Sequence, residues 1–150
     1  MRDVLFLVAD KNMEAMIKGF FSRPEFHRAL GCGSFVFDAR QDLVVAHGLA
    51  DPGLYTRANE LLQPYARTHA HAVVMLDVDW DGSPGLELIK NRIDGHLARA
   101  GWPADRGCAV VIHPELENWV WQDSPHVSSA LGFEHAYAEL RRLLEGQGFW

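Results

Sequence analysis

Three aspartates at every second position, Asp77, Asp79 and Asp81, follow the short apolar run Ala-Val-Val-Met-Leu and precede Gly82. Carboxylates on alternate residues of an extended backbone point to the same side, about 6.5–7 Å apart. Two that close repel each other unless a cation or a proton sits between them. Oxygen donors of this kind suit magnesium, manganese or calcium rather than zinc. Two further acidic groups follow other apolar runs: Asp10 and Glu14 after the first, Glu115 and Glu117 after the last. Each has an ordinary alternative use. Asp10, Glu14 and Glu117 stand where a helix start favours a carboxylate, and Asp81-Gly82 is a common turn dipeptide.

The elements that must position these residues alternate along the chain. Residues 3–8 form a valine- and leucine-rich run with the length of a strand, and Asp10-Lys11-Asn12 supplies a polar turn before a helix. Met13, Met16, Ile17, Phe20 and Phe21 recur at helical spacing, so that helix carries one apolar face. Residues 34–38 are expected to form a second short strand after the Gly31-Cys-Gly33 turn, and residues 39–52 a long connection that includes Asp38, Asp42, His47 and Asp51 at or near its ends. Asp51-Pro52 is expected to cap a helix running to Tyr65. The strand before Asp77 is the third. Leu86, Ile89, Ile93 and Leu97 mark a helix ending near Gly101, and residues 108–112 a fourth strand. Pro114 opens a new helix, and residues 124–131 and 133–144 read as extra C-terminal helices. Such alternation predicts an α/β fold of about four mostly parallel strands flanked by helices, with ligands outside the carboxyl ends of the strands. Asp10, Asp77 and Pro114 should then fall at one edge.

Composition narrows the function classes. With 150 residues, 48% of them hydrophobic and five tryptophans, the chain is expected to be one compact domain, soluble and cytoplasmic, with no membrane span and no secretion signal. Cys32 and Cys108 lack any metal-ligand spacing and are expected to be buried thiols. No glycine-rich phosphate loop follows the first strand, and no Gly-x-Ser-x-Gly elbow occurs. An EF-hand loop opening at Asp77 would need a glutamate where Leu88 stands. A formal charge of −6 disfavours nucleic-acid binding by bulk attraction. Lys11, Arg23, Arg28 and Arg40 are the candidates for a local phosphate-contacting face, against the alternative of a solvated surface. Trp80, Trp119 and Trp121 are candidates for stacking on bases, with core packing as the alternative. Phe149 and Trp150, beyond Gly146-Gln-Gly148, are expected either to dock a partner or to fold back onto the core.

The motifs together resemble a known family. An acidic residue after the first strand, the Asp77-x-Asp79 pair after the third and an alternating sheet resemble the Toprim domain of topoisomerases, primases and overcoming-lysogenization-defect nucleases. Pro114-Glu-Leu-Glu117-Asn-Trp119-Val-Trp121 is similar to the Pro-x-x-Glu-x-Trp segment of short Toprim-like proteins in bacterial defence islands. With Asp123-Ser-Pro-His-Val127, the chain resembles a component of methylation-associated phage-defence systems. The resemblance implies a Toprim-like (Rossmannoid) domain over residues 1–150 and a nuclease or phosphoryl-transfer activity dependent on Mg2+ or Mn2+. It implies that Asp77 and Asp79 hold the metal, with Asp81 and Glu117 as further candidates. Asp10 and Glu14 stand nearest the place of the family's catalytic glutamate, although Ala9 and Asp10 occupy that place itself. DNA or RNA would be met within a complex of other defence-system subunits, with a homo-oligomer left open. The alternative is a non-catalytic nucleic-acid-sensing or scaffolding subunit that retains the fold.

Overall fold

The computed structural model describes residues 1–116, 119, 124–132 and 137–147. The chain divides into two compact units, Met1–Glu115 and Leu116–Trp150. The first contains β1 (Arg2–Val8), α1 (Lys11–Phe21), α2 (Phe26–Leu30), β2 (Leu43–Val45), α3 (Ala50–Leu62), a 3-10 turn (Gln63–Tyr65), β3 (His69–Asp77), α4 (Leu86–Ala100) and β4 (Gly107–Ile112). All strands are parallel, in the order β2-β1-β3-β4. This is the expected α/β architecture. Among the described residues no helix is long and apolar enough to cross a membrane.

Strand alternation divides the core between the two faces of the sheet. Leu5 and Leu7 on β1 lie in register with Ala72 and Val74 on β3, and all four are buried. Right-handed crossovers to the right place α3 and α4 on this face, where they pack against each other. Of the expected α4 stripe, Ile89, Ile93 and Leu97 are fully buried there while Leu86 at the helix start is half-buried, and Trp102 closes the layer by donating its indole N–H to the His69 carbonyl at 3.3 Å. The leftward crossover from β1 to β2 places α1 on the other face. There Phe6 meets Phe21 at 5.2 Å and Phe37 at 5.9 Å between ring centroids.

That ring cluster explains the first correction. Residues 34–38 do not form a strand. Phe35 and Phe37 instead join Phe21 and Phe26, Phe37 stacking on Phe21 at 4.3 Å, so the alternating aromatics serve ring packing rather than a ladder. The second strand lies later, at Leu43–Val45, inside the stretch expected to be loop. Asp42 puts it there. Its buried carboxylate is bound by the Arg2 guanidinium (Nη2 to Oδ2, 2.6 Å), by the Asp38 amide (2.7 Å) and by His69 Nε2 (3.2 Å), while its carbonyl accepts from Phe6 N–H at 2.7 Å. One residue thereby ties the start of β2 to the starts of β1 and β3.

Cys32 and Cys108 are free and exposed, not the buried thiols expected from composition. Cys108 lies on β4, an edge strand with one neighbour in the sheet, so the side chains of that strand are less covered than those of β1 and β3. In the second unit, α5 (Pro125–Ala130) begins at Ser124, whose hydroxyl accepts from His126 N–H at 3.3 Å, and α6 (Tyr137–Gly146) buries Leu140. Both helices fall where the periodicity predicts them. Phe149 and Trp150 lie outside the described residues.

Candidate metal centre

The strand order reverses direction between β1 and β3, because β1 leads leftward to β2 and β3 leads rightward to β4. A crevice outside the carboxyl ends of the strands opens at such a point. Three carboxylates meet there: Asp10, Asp51 and Asp77 have one oxygen each within 4.8 Å of one another.

Each is delivered by a different element. Asp10 follows β1 in extended conformation and caps α1, its Oδ1 accepting from Met13 N–H at 2.9 Å. The capping use and the candidate ligand therefore coexist, since a carboxylate has four lone-pair directions and the cap takes one. Asp77 is the last residue of β3 and is buried. Asp51 reaches the group from α3, and its Oδ1 accepts the Asp77 N–H at 2.7 Å. It does not cap α3, contrary to the expectation. The helix begins two residues earlier, after Leu49, with no side-chain cap. Ala50 has φ of +50°, a left-handed conformation costly for a residue with a Cβ, and this turn in the backbone precedes the aspartate that faces β3.

The other candidates fall elsewhere. Asp79 and Asp81 are exposed and are not members of the three-carboxylate group. The ladder ends at Val78, whose N–H bonds the Ile112 carbonyl, and the chain then turns with Ser83 N–H on the Trp80 carbonyl. The alternate-residue geometry therefore stops where the sheet stops. Glu14 is ion-paired with Lys18 one turn along α1. This hydrogen bond holds its carboxyl below the ordinary glutamate range. Glu117 lies outside the described residues, while Glu115 is exposed. Pro114 does fall at the expected edge, two residues beyond β4.

Of the four basic candidates, Arg23, Arg28 and Arg40 do not converge on the carboxylates. Lys11 does, as the first residue of α1, and with Asp10, Ala46, His47 and Gly48 it lines a cleft of about 340 Å³. Arg23 and Arg28 follow the far end of α1, which at 11 residues is about 16 Å long. Arg23 lies over the Phe20 ring at 5.8 Å and Arg28 pairs with Glu25 at 2.9 Å. Arg40 lies in the turn before β2, near the amino ends of the strands. Of the tryptophans, Trp80 is half-buried, Trp119 is 45% exposed and Trp121 lies outside the described residues.

Sequence reasoning missed Asp51 as a ligand because Asp-Pro at a helix start has a sufficient local explanation. The signal that could have found it was the apolar Leu43-Val44-Val45 run, which makes Asp51 another acidic residue just past a strand end.

The chemistry of the donor set is that of a hard divalent cation. Oxygens opposite each other on octahedral Mg2+ are about 4.2 Å apart, and on Ca2+ about 5 Å. Three carboxylate oxygens confined within 4.8 Å can thus close on such an ion with small adjustments. Comparison with protein-family models, with curated proteins and with solved structures finds no match to the chain.

Proposed function

We propose that Asp10, Asp51 and Asp77 hold Mg2+ or Mn2+ and that the protein is a metal-dependent, Toprim-like phosphodiester-cleaving or phosphoryl-transfer component of a bacterial anti-phage defence system. The observation that carries the metal part of this reading is the convergence of three carboxylates from three elements on the switch point of a parallel sheet. The nuclease and defence parts rest on the motif resemblance. When bound, the ion would neutralise phosphate charge and favour an activated water. The chain's own groups do the rest. Lys11 offers a cation for a phosphate oxygen beside Asp10, and His47, in the same cleft, offers an imidazole for proton transfer. The Asp77 backbone N–H donates to Asp51 Oδ1 at 2.7 Å, which ties the two ligands together before a cation arrives.

A second reading has its own observation. Glu14, which with Asp10 stands nearest the place of the family's catalytic glutamate, is paired with Lys18. A protein that binds metal and nucleic acid without cutting, as a sensing or scaffolding subunit, would need no such group. Two measurements separate the readings. Millimolar Mg2+ or Mn2+ should raise the melting temperature of the wild type but not of Asp51→Asn or Asp77→Asn. An unchanged wild-type melting curve would sink the metal centre. Incubation with circular and linear DNA and with RNA should then show metal-dependent cleavage that Asp77→Asn abolishes; metal binding without cleavage of any of these would leave the non-catalytic reading.

A further inference from the structure

Beside the carboxylates stands a second cluster that the metal does not use. Tyr55 follows Asp51 by one turn of α3, so its Cβ lies about 6 Å from that of Asp51 on the same helix face. Trp80 follows Asp77 by three residues. The two rings meet at 5.9 Å between centroids, tilted by 47°. Arg92, on α4, places its guanidinium 4.8 Å from the Tyr55 ring centroid and donates its Nε–H to the Tyr55 carbonyl at 3.2 Å. The Asp51–Asp77 contact and the Tyr55–Trp80 contact therefore link the same two segments twice, once through the carboxylates and once through the rings.

We infer that Trp80, packed on Tyr55, which Arg92 holds in turn, is a stacking platform for an unpaired base of single-stranded nucleic acid whose phosphate lies at the Asp10–Asp51–Asp77 site. This inference rests on the proposed function above, both its metal centre and its nucleic-acid substrate, and narrows that substrate to single strands. Three features carry it. Trp80 and Tyr55 are only half-buried, in a loop and on a helix flank rather than in the core, which is filled by Trp102, Ile89 and Ile93. Arg92 on the ring side and Lys11 beside Asp10 bring cations to a part of the molecule that carries Asp10, Asp51, Asp77, Asp79 and Asp81, where a phosphate backbone needs them. On an acidic chain of net charge −6, affinity must come from something other than bulk attraction, and ring stacking is a contribution that salt does not screen. A duplex keeps its base faces stacked inside the helix, so this arrangement favours single strands. DNA and RNA share the chemistry.

The test uses the full chain with labelled oligothymidylate, oligouridylate and a duplex of equal length in Mg2+, read by fluorescence anisotropy, with melting curves of every variant in parallel. Single strands should bind more tightly than duplex. Trp80→Ala should weaken them about tenfold or more, while Trp80→Phe retains most of the affinity. If Trp80→Ala also loses the Mg2+-dependent rise in melting temperature, Trp80→Leu decides, because it keeps an apolar side chain without a π face. Equal binding by wild type and the variant without the ring, or duplex bound as tightly as single strands, overturns the platform. The two readings fail separately. A wild type that responds to Mg2+ but binds no strand keeps the metal centre and loses the platform; strand binding through Trp80 without any Mg2+ response does the reverse. The ratio of the two single-strand affinities tells DNA from RNA.

Discussion

Asp42 and Asp51 lie nine residues apart in sequence and put the same functional group to opposite uses. Asp42 is 2% exposed and its carboxylate is satisfied by Arg2, His69 and the Asp38 amide. Burial works against its charge, but these donors outweigh burial and hold its carboxyl below the ordinary aspartate range. A carboxyl depressed on folding stabilises the protein above its unfolded pKa and loses that contribution as pH falls through the folded value. The stabilisation from Asp42 is therefore complete at neutral pH, begins to fall near the unfolded value of about 4 and is lost as pH drops through the depressed folded value. Removing the carboxylate leaves a buried amide and part of a guanidinium without their acceptor. Asp42→Ala should cost about 3 kcal/mol in urea unfolding at pH 7, and the difference from wild type should shrink as pH falls toward 3. A cost that is the same at both pH values would show that packing, not charge, is what Asp42 contributes. Asp51 instead shares its surroundings with two other carboxylates, whose mutual repulsion a bound cation would relieve.

At the scale of elements, the turn between β2 and α3 determines whether the centre forms. Gly48 has φ of +72° and Ala50 φ of +50°, two left-handed residues within three positions, immediately before Asp51. Glycine adopts this conformation without a Cβ penalty, whereas alanine pays about 1–2 kcal/mol. Gly48→Ala should thus destabilise the protein by about 1 kcal/mol, although a Cβ there meets no neighbour within 4 Å. Ala50→Gly relieves the strain but adds freedom to the unfolded chain, so it should fall between neutral and about 1 kcal/mol stabilising. Denaturant melts of both variants check the pair; an Ala50→Gly variant destabilised by more than about 1 kcal/mol would mean that the alanine methyl does more there than bear strain. The opposite sign at two left-handed positions separated only by Leu49 is the signature of backbone strain held next to a functional group.

At the scale of the whole molecule, charge is distributed unevenly. The carboxyl edge of the sheet carries Asp10, Asp51, Asp77, Asp79 and Asp81, while Arg2, Arg23 and Arg40 follow the amino ends of the strands or the far end of α1. Lys11 and Arg92 are the cations placed near the proposed site. If these two are the phosphate contacts, single-strand binding should weaken with salt at a slope of only about −1.4 in log K against log salt. A slope beyond about −3 would require more phosphate contacts than this edge supplies, and would transfer the interface to the arginine-bearing end.

The amino-acid sequence by itself determined the fold class and most of its elements. The runs at β1, β3 and β4, the helical stripe Ile89, Ile93 and Leu97, and the breaks at glycine and proline specify what each segment buries, and burial is a local, periodic property. Parallel alternation was enough to send Asp10 and Asp77 to one edge. Only the tertiary structure decided which carboxylate joins them. Asp79 is two residues from Asp77 and stands apart from the group, whereas Asp51 is 26 positions away and hydrogen-bonds it. The same is true of the rings: Phe37 alternates like a strand residue but is claimed by Phe21 and Phe6, and Tyr55, Trp80 and Arg92 come from three elements with no shared motif. Periodicity records which face of an element is buried. Which residues meet depends on the order β2-β1-β3-β4 and on where each ladder ends, and those are set by contacts between segments far apart in the chain.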